Sequence, residues 1–187
     1  MKGIKHEAEH GSSPHHLHCQ FADEGLDTFL RRAELNIEVL NFALADIPPE
    51  RLRMHVCWGN YEGPHHWDVP LRDIIEIVLR ARPLAVSLEV ANPHHAYEWN
   101  VFEEVKLPDG KVIMLGVIDS TTHYIEHPDL VAGPLIHFGQ LVGREPVIAG
   151  VDCGLSTSAI STKIDSDIAW TKLKSLVEGT RLASKRL

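Results

Sequence analysis

His55 and Cys57 stand two residues apart in the stretch "RMHVCW". In a strand, residues two apart share a face, so both point one way while Val56 points the other. Glu89 follows in "VSLEVA", Asp119 in "GVIDST", and Asp152 with Cys153 in "GVDCGL". Each closes an apolar run. In barrels and open α/β sheets that is where chemistry sits. An imidazole, two thiolates and a carboxylate form a zinc-ligand set. Taken alone, Cys57 reads as a small buried hydrophobe. Glu89, between Leu88 and Val90, is costly to bury without a partner or a metal. Together, at strand ends that converge on one mouth, His55, Cys57, Glu89 and Cys153 read as a zinc site. Their spacing is not that of a zinc finger or ribbon. A metal here would favour deprotonated cysteine.

The elements that must carry these residues are legible from periodicity. From Leu26 to Leu44, apolar residues recur at steps of three and four, which predicts an amphipathic helix. "DIPPE" stops it, because proline cannot continue the ladder. Strands are expected at 51–58, 84–90, 111–118 and 146–152. Helices are expected at 71–81, 129–143 and 166 to about 185, with Pro134 counting against the second of these. The strands are continuous apolar runs rather than alternating ones, which predicts burial on both faces of a parallel sheet. Strand and helix alternate at intervals of roughly 30 residues, the size of a βα crossover unit. No glycine-rich phosphate loop follows any strand, which removes a dinucleotide-binding reading.

The fold class is therefore α/β, of the (β/α) TIM-barrel type, with about four of the eight units that close such a barrel. Residues 26–187 are expected to form the C-terminal half of a barrel, and residues 1–25 a flexible, polar, histidine-rich leader. A half-barrel has two open sheet edges and an uncovered interior. It calls for self-association or a separate N-terminal half-barrel chain, unless the chain is a truncated product.

Composition narrows the function classes. The chain has 187 residues, 13 of them histidine, and a net charge of −8. That acidity argues against nucleic acid as a partner. No apolar run approaches the roughly 20 residues needed to span a membrane, and the N-terminus is no secretory signal. Cys19, Cys57 and Cys153 are an odd, widely spaced set, more in keeping with a reducing cytoplasm than with a disulfide framework. His6, His10, His15, His16 and His18 lie in the leader and are expected to have no specific role.

"MHVCWGN", "VSLEVAN", "GVIDSTT" and "GVDCGLST", in that order, resemble the C-terminal barrel of the cobalamin-independent methionine synthase family. The family's relatives include the epoxyalkane:coenzyme M transferases. The likeness runs from about Leu26 to Leu187, and the loop "CWGNYEGPHHWDVPL" is most similar to that of a shorter branch. The resemblance implies Zn2+ held by His55, Cys57, Glu89 and Cys153. It implies a thiol substrate, homocysteine or coenzyme M, whose zinc-activated thiolate attacks an alkyl donor such as a methylfolate or an epoxide. The family's third strand is followed by Asp-Ile-His-Ser; here the stretch is Asp119-Ser120-Thr121-Thr122. Asp119 is kept and Thr121 takes the histidine position, so these two are the expected catalytic residues. Expected substrate contacts are Trp58, Asn60, Asn92 and Asp152. Trp58, Tyr61, Trp67 and Trp99 would stack on a planar donor or pack the loops. His65-His66 and His94-His95, in turn-rich loops, are expected to support the site or face solvent. The rival reading is a non-catalytic zinc-binding half-barrel subunit, or a pseudo-enzyme that needs an N-terminal partner.

Overall fold

Four short strands line up in chain order and set every other feature of the molecule. The structure is a computed structural model that describes residues 24–60, 62, 68–156 and 164–187. The leader histidines, Cys19, Tyr61, His65, His66 and Trp67 lie outside the described residues. The elements are α1 (Leu26–Ala43), β1 (Arg53–His55), α2 (Leu71–Leu79), β2 (Ala85–Glu89), β3 (Val112–Gly116), α3 (Pro128–Val142), β4 (Val147–Gly150) and α4 (Ser166–Arg186). Short 3-10 turns occupy Pro49–Arg51 and Glu98–Glu103. The sheet order is β1-β2-β3-β4 and every pairing is parallel. This is a mixed α/β architecture with a four-stranded parallel sheet, consistent with part of a (β/α) barrel.

Alternation along each strand decides the two faces. Met54, Val56, Val86, Leu88, Val90, Ile113, Leu115 and Val117 point to one side. They form the core with Ile74, Ile75 and Val78 of α2 and with Val131, Leu135 and Phe138 of α3. The other side carries Arg53, His55, Ser87, Met114 and Ile148. The register places His55 beside Ser87, Ser87 beside Met114, and Met114 beside Ile148. This face is only half-covered, and Ile148 is 38% exposed. The expectation of burial on both faces is corrected: helices cover one face, and the described residues leave the other open.

The β2–β3 crossover, for which no helix was expected, carries a 3-10 helix at Glu98–Glu103, bounded by Pro93 and the "PDG" turn. That turn closes with Lys111 N–H donating to the Pro108 carbonyl at 3.0 Å, and Gly110 supplies its positive φ of 79°. Helix α3, in contrast, runs straight through Pro134. An interior proline costs about 3 kcal/mol. Here Val131, Ala132, Leu135 and Phe138 are buried on both sides of it, and that packing outweighs the missing hydrogen bond. Among the described residues, no helix is long and apolar enough to cross a membrane.

Candidate metal centre

The ladder does not stop where the strands formally end. Val56 N–H donates to the Ser87 carbonyl, Val90 N–H to Gly116, and Val117 N–H to Gly150. These bonds keep the chain extended for one more residue, so Cys57 stays on the same face as His55. Glu89 ends β2 on that face, and Cys153 lies in the turn after β4. The ligand-type atoms of His55, Cys57, Glu89 and Cys153 all fall within 4.8 Å of one another. His55 Nε2 is 3.1 Å from Cys153 Sγ. The two sulfurs are 3.5 Å apart, and Cys153 Sγ is 3.0 Å from Glu89 Oε1. At zinc–ligand bonds of about 2.0 to 2.3 Å, donor atoms of a tetrahedral site lie roughly 3.3–3.8 Å apart. The sulfur–sulfur edge falls in that range, and the two other measured edges are slightly shorter.

Backbone donors fix two of the four side chains. Trp58 N–H donates to Glu89 Oε1 at 3.0 Å, and Gly59 N–H to Cys57 Sγ at 3.3 Å. The charges are unbalanced. Cys153, as a hydrogen-bond donor, draws the Cys57 thiol down to about 4, against burial and with help from His55. The same bond to Cys57, then burial and Glu89, push the Cys153 thiol up. Burial, then the neighbouring Cys57, raises the Glu89 carboxyl. Three acidic groups crowd a single imidazole, an arrangement that a divalent cation relieves. The residues present thus fit a zinc ion in number, donor type and spacing.

β3 contributes no ligand. At Gly116 a Cβ would overlap Asp152 Oδ1 and come within 2.8 Å of the Leu88 carbonyl oxygen, so glycine leaves room for Asp152. The carboxylate of Asp152 lies under the cluster. Oδ1 accepts from Val90 and Ala91 N–H at 2.9 Å each, and Oδ2 from Asn92 N–H at 2.8 Å. Burial pushes its carboxyl up to about 8, opposed by those three donors.

The remaining sequence candidates take up these places. Asp119 Oδ1 accepts from Thr121 N–H at 2.6 Å and from Thr121 Oγ1 at 2.8 Å. Both residues are buried, and the Thr121 hydroxyl proton is committed to Asp119. Asn60, at φ 37°, donates through Nδ2 to the Gly154 carbonyl at 3.0 Å. Asn92 Oδ1 accepts from His94 N–H at 2.9 Å. Trp58 is fully buried, its Nε1–H donating to the Val69 carbonyl at 2.9 Å, so its ring presents no open face. Trp99 stacks on His137 at 4.1 Å. His94 is exposed and His95 buried.

Sequence reasoning missed two features. Ser120 Oγ accepts from Cys153 N–H at 3.2 Å and donates to Asn60 Oδ1, tying three strand-end loops together. Its only signal was a hydroxyl after a strand that ends in Asp119. Lys172, fully buried on α4, donates to Glu126 at 2.9 Å and to the Asp119 carbonyl at 3.1 Å. Nothing in its helical position marked it.

An α/β chain with a four-stranded parallel sheet and a His/Cys/Glu cluster at the strand ends is the class that fold and site define. No family model matches the sequence. It is 26% identical over 176 residues to 2-hydroxypropyl-CoM lyase of Xanthobacter autotrophicus, covering 81% of this chain and 45% of that protein. It is 22% identical over 178 residues to the uncharacterized protein YxjG of Bacillus subtilis, covering 95% of this chain and 43% of the relative. Its fold is similar to that of a B12-independent methionine synthase from Shewanella sp. W3-18-1 solved with selenomethionine. There the TM-score is 0.65 at 23% identity, over 81% of this chain and 43% of the other. The chain spans less than half the length of the relatives it matches.

Proposed function

We propose that this chain carries the zinc site of a thiol-alkylating enzyme. The observation that carries the reading is the convergence of His55, Cys57, Glu89 and Cys153 from three strand ends to within 4.8 Å. A bound zinc ion would lower the pKa of a substrate thiol, supplying a thiolate at neutral pH. The chain's own residues hold the ligands in place: Trp58 N–H at Glu89, Gly59 N–H at Cys57, and Ser120 Oγ at the Cys153 amide. Asp152 shapes the loop after β2. Asp119 and Thr121 form the rigid turn at the mouth, where they would orient a polar group of the thiol substrate. The acceptor is a small thiol of the homocysteine or coenzyme M kind, and the donor is an alkyl compound. Two thiolate ligands suit a reducing compartment, and on that ground we read the protein as cytoplasmic.

The open sheet face favours a second reading: a non-catalytic zinc-binding half that needs a partner. Metal analysis of untagged protein tests the first part of the proposal, with about one zinc per chain expected and a large loss in Cys153→Ser. Undiminished zinc in that variant overturns the site. Zinc without alkylation of either thiol, across methylfolate and epoxide donors, selects the second reading.

A further inference from the structure

A buried ionic triad lies behind the metal cluster, and the proposal above gives it no role. His95 Nδ1 is 2.9 Å from Glu98 Oε2 and His95 Nε2 is 3.3 Å from Asp68 Oδ2. The His95 side chain is 1% exposed, and those of Asp68 and Glu98 are 3% and 5%. A neutral imidazole has one ring proton and cannot donate to both carboxylates; an imidazolium has two. Burial opposes that charge, but Asp68 and then Glu98 prevail and hold His95 up to about 9.

Among the described residues, Trp58 links the triad to the metal ligands. The His95 ring lies against the Trp58 indole, with centroids 4.6 Å apart and planes inclined by 36°, within cation–π range. Trp58 is pinned again by Nε1–H to the Val69 carbonyl. The backbone N–H of this doubly held residue donates to Glu89 Oε1. Fastening the fold is the simpler role for such a triad. Glu98 Oε1 does accept from Leu71 N–H at 2.8 Å, at the start of α2. Apolar side chains of similar volume fasten a fold as well or better, however, since burying charges is costly. They would not supply a fixed cation against the indole whose peptide group orients Glu89.

We propose that the Glu98–His95–Asp68 triad is a positioning device for the metal centre. It holds Trp58 so that its backbone N–H sets the orientation of the Glu89 carboxylate. His95 is not one of the four candidate ligands, and among the described residues it acts on them through Trp58 and Glu89. The inference rests on the zinc reading. Supporting partners of metal ligands typically change metal affinity about 10- to 100-fold when removed.

The test is zinc affinity of the untagged full chain, measured by competition with a chromogenic chelator. The variants are wild type, His95→Gln, Glu89→Gln and the double variant, with circular dichroism as a check on folding. His95→Gln is expected to weaken zinc by about 10- to 100-fold, and to have almost no further effect once Glu89 is glutamine. A purely structural role predicts the same loss in both backgrounds, or none, and either result overturns the inference while leaving the zinc site standing. Absence of zinc binding in the wild type overturns the zinc reading itself. If His95→Gln does not fold, Glu98→Gln, which keeps the shape and removes one charge, takes its place in the same cycle.

Discussion

Asp152 illustrates how much of the site depends on hydrogen bonds that no spacing announces. Its two oxygens take three backbone N–H groups from the turn after β2. Removing the carboxylate strips that partner from Ala91 and Asn92 N–H, each worth about 1–3 kcal/mol when unpaired, while Val90 N–H keeps the Gly116 carbonyl. Asp152→Ala is expected to cost roughly 2 kcal/mol or more, read from urea unfolding in the presence of a chelator so that metal loss does not contribute. A cost under about 1 kcal/mol would mean that solvent replaces the carboxylate freely. His95 gives a second residue-scale prediction. Its pKa rises from an ordinary 6.5 to about 9 on folding, so the folded state binds the extra proton more tightly. The stabilisation is complete below about pH 6.5, declines from there, and is gone above about pH 9; at most it is about 3 kcal/mol. Urea midpoints between pH 6 and 10 should fall in wild type and lie flatter in His95→Gln. His55, Cys57 and Glu89 were legible because strand parity determines where they point, and Cys153 because it follows a strand end. Ser120, Asp68 and Glu98 were not. Their roles depend on how separate loops meet, and a polar residue in a loop looks the same whether it faces solvent or a buried partner.

At the scale of elements, close approach decides what the helices tolerate. Gly179 of α4 faces α3. An added Cβ there would overlap Val131 Cβ and come within 2.7 Å of the Pro128 carbonyl oxygen. On an exposed helix, alanine in place of glycine gains about 1 kcal/mol. Here the backbone carbonyl cannot yield, and overpacking of about 1–3 kcal/mol is expected to dominate. Gly179→Ala should therefore melt at a lower temperature than wild type; a higher melting temperature would show that α3 and α4 separate without strain. The helices α1, α2 and α4 and all four strands were visible in the apolar periodicity, to within a few residues at the ends. Helix α3 was visible despite Pro134, because its buried stripe persists on both sides of the proline. The β2–β3 crossover reads in the sequence as a loop and a short segment, and its 3-10 turn was not foreseen. "VFEEVKL" lies between two prolines, and its one aromatic residue is used for packing, Phe102 meeting Phe138 edge-on at 5.0 Å. The one-sided burial of the sheet was misread for a different reason. Apolar runs such as "KVIMLGVI" specify a strand that fits a two-sided core but say nothing about which chain supplies the second side.

The whole molecule is organised around that open side. β1 and β4 end the described sheet; α1, packed on α2, and α4, packed beside β4, carry apolar residues that face outward. On α1, Leu35, Val39 and Phe42 form one stripe, with Phe42 86% exposed. On α4, Trp170 and Val177 are exposed at a seven-residue interval. The open face itself carries Ile148, and Met114 lines a groove of about 310 Å³ on it together with His55, Cys153, Arg53 and Ser87. Unpaired edges and exposed apolar stripes at both ends of one sheet favour association with a further sheet. Two copies placed head to tail about a twofold axis would bring each β4 to the other's β1 in parallel and assemble the eight strands of a closed barrel. A separate N-terminal half-barrel chain would use the same two ends. The purified chain alone is thus expected to scatter light as a dimer at micromolar concentration, and Phe42→Asp to shift it toward monomer. Zinc content should be unchanged in that variant, because α1 contributes no ligand. If the wild-type chain is a monomer whose unfolding midpoint does not depend on concentration, self-association fails. Pull-down of a half-barrel chain would then assign the open face to that partner. A monomer that binds zinc and alkylates thiols unaided would show that the four βα units suffice for the chemistry, with the open face serving as the route by which substrate reaches the metal.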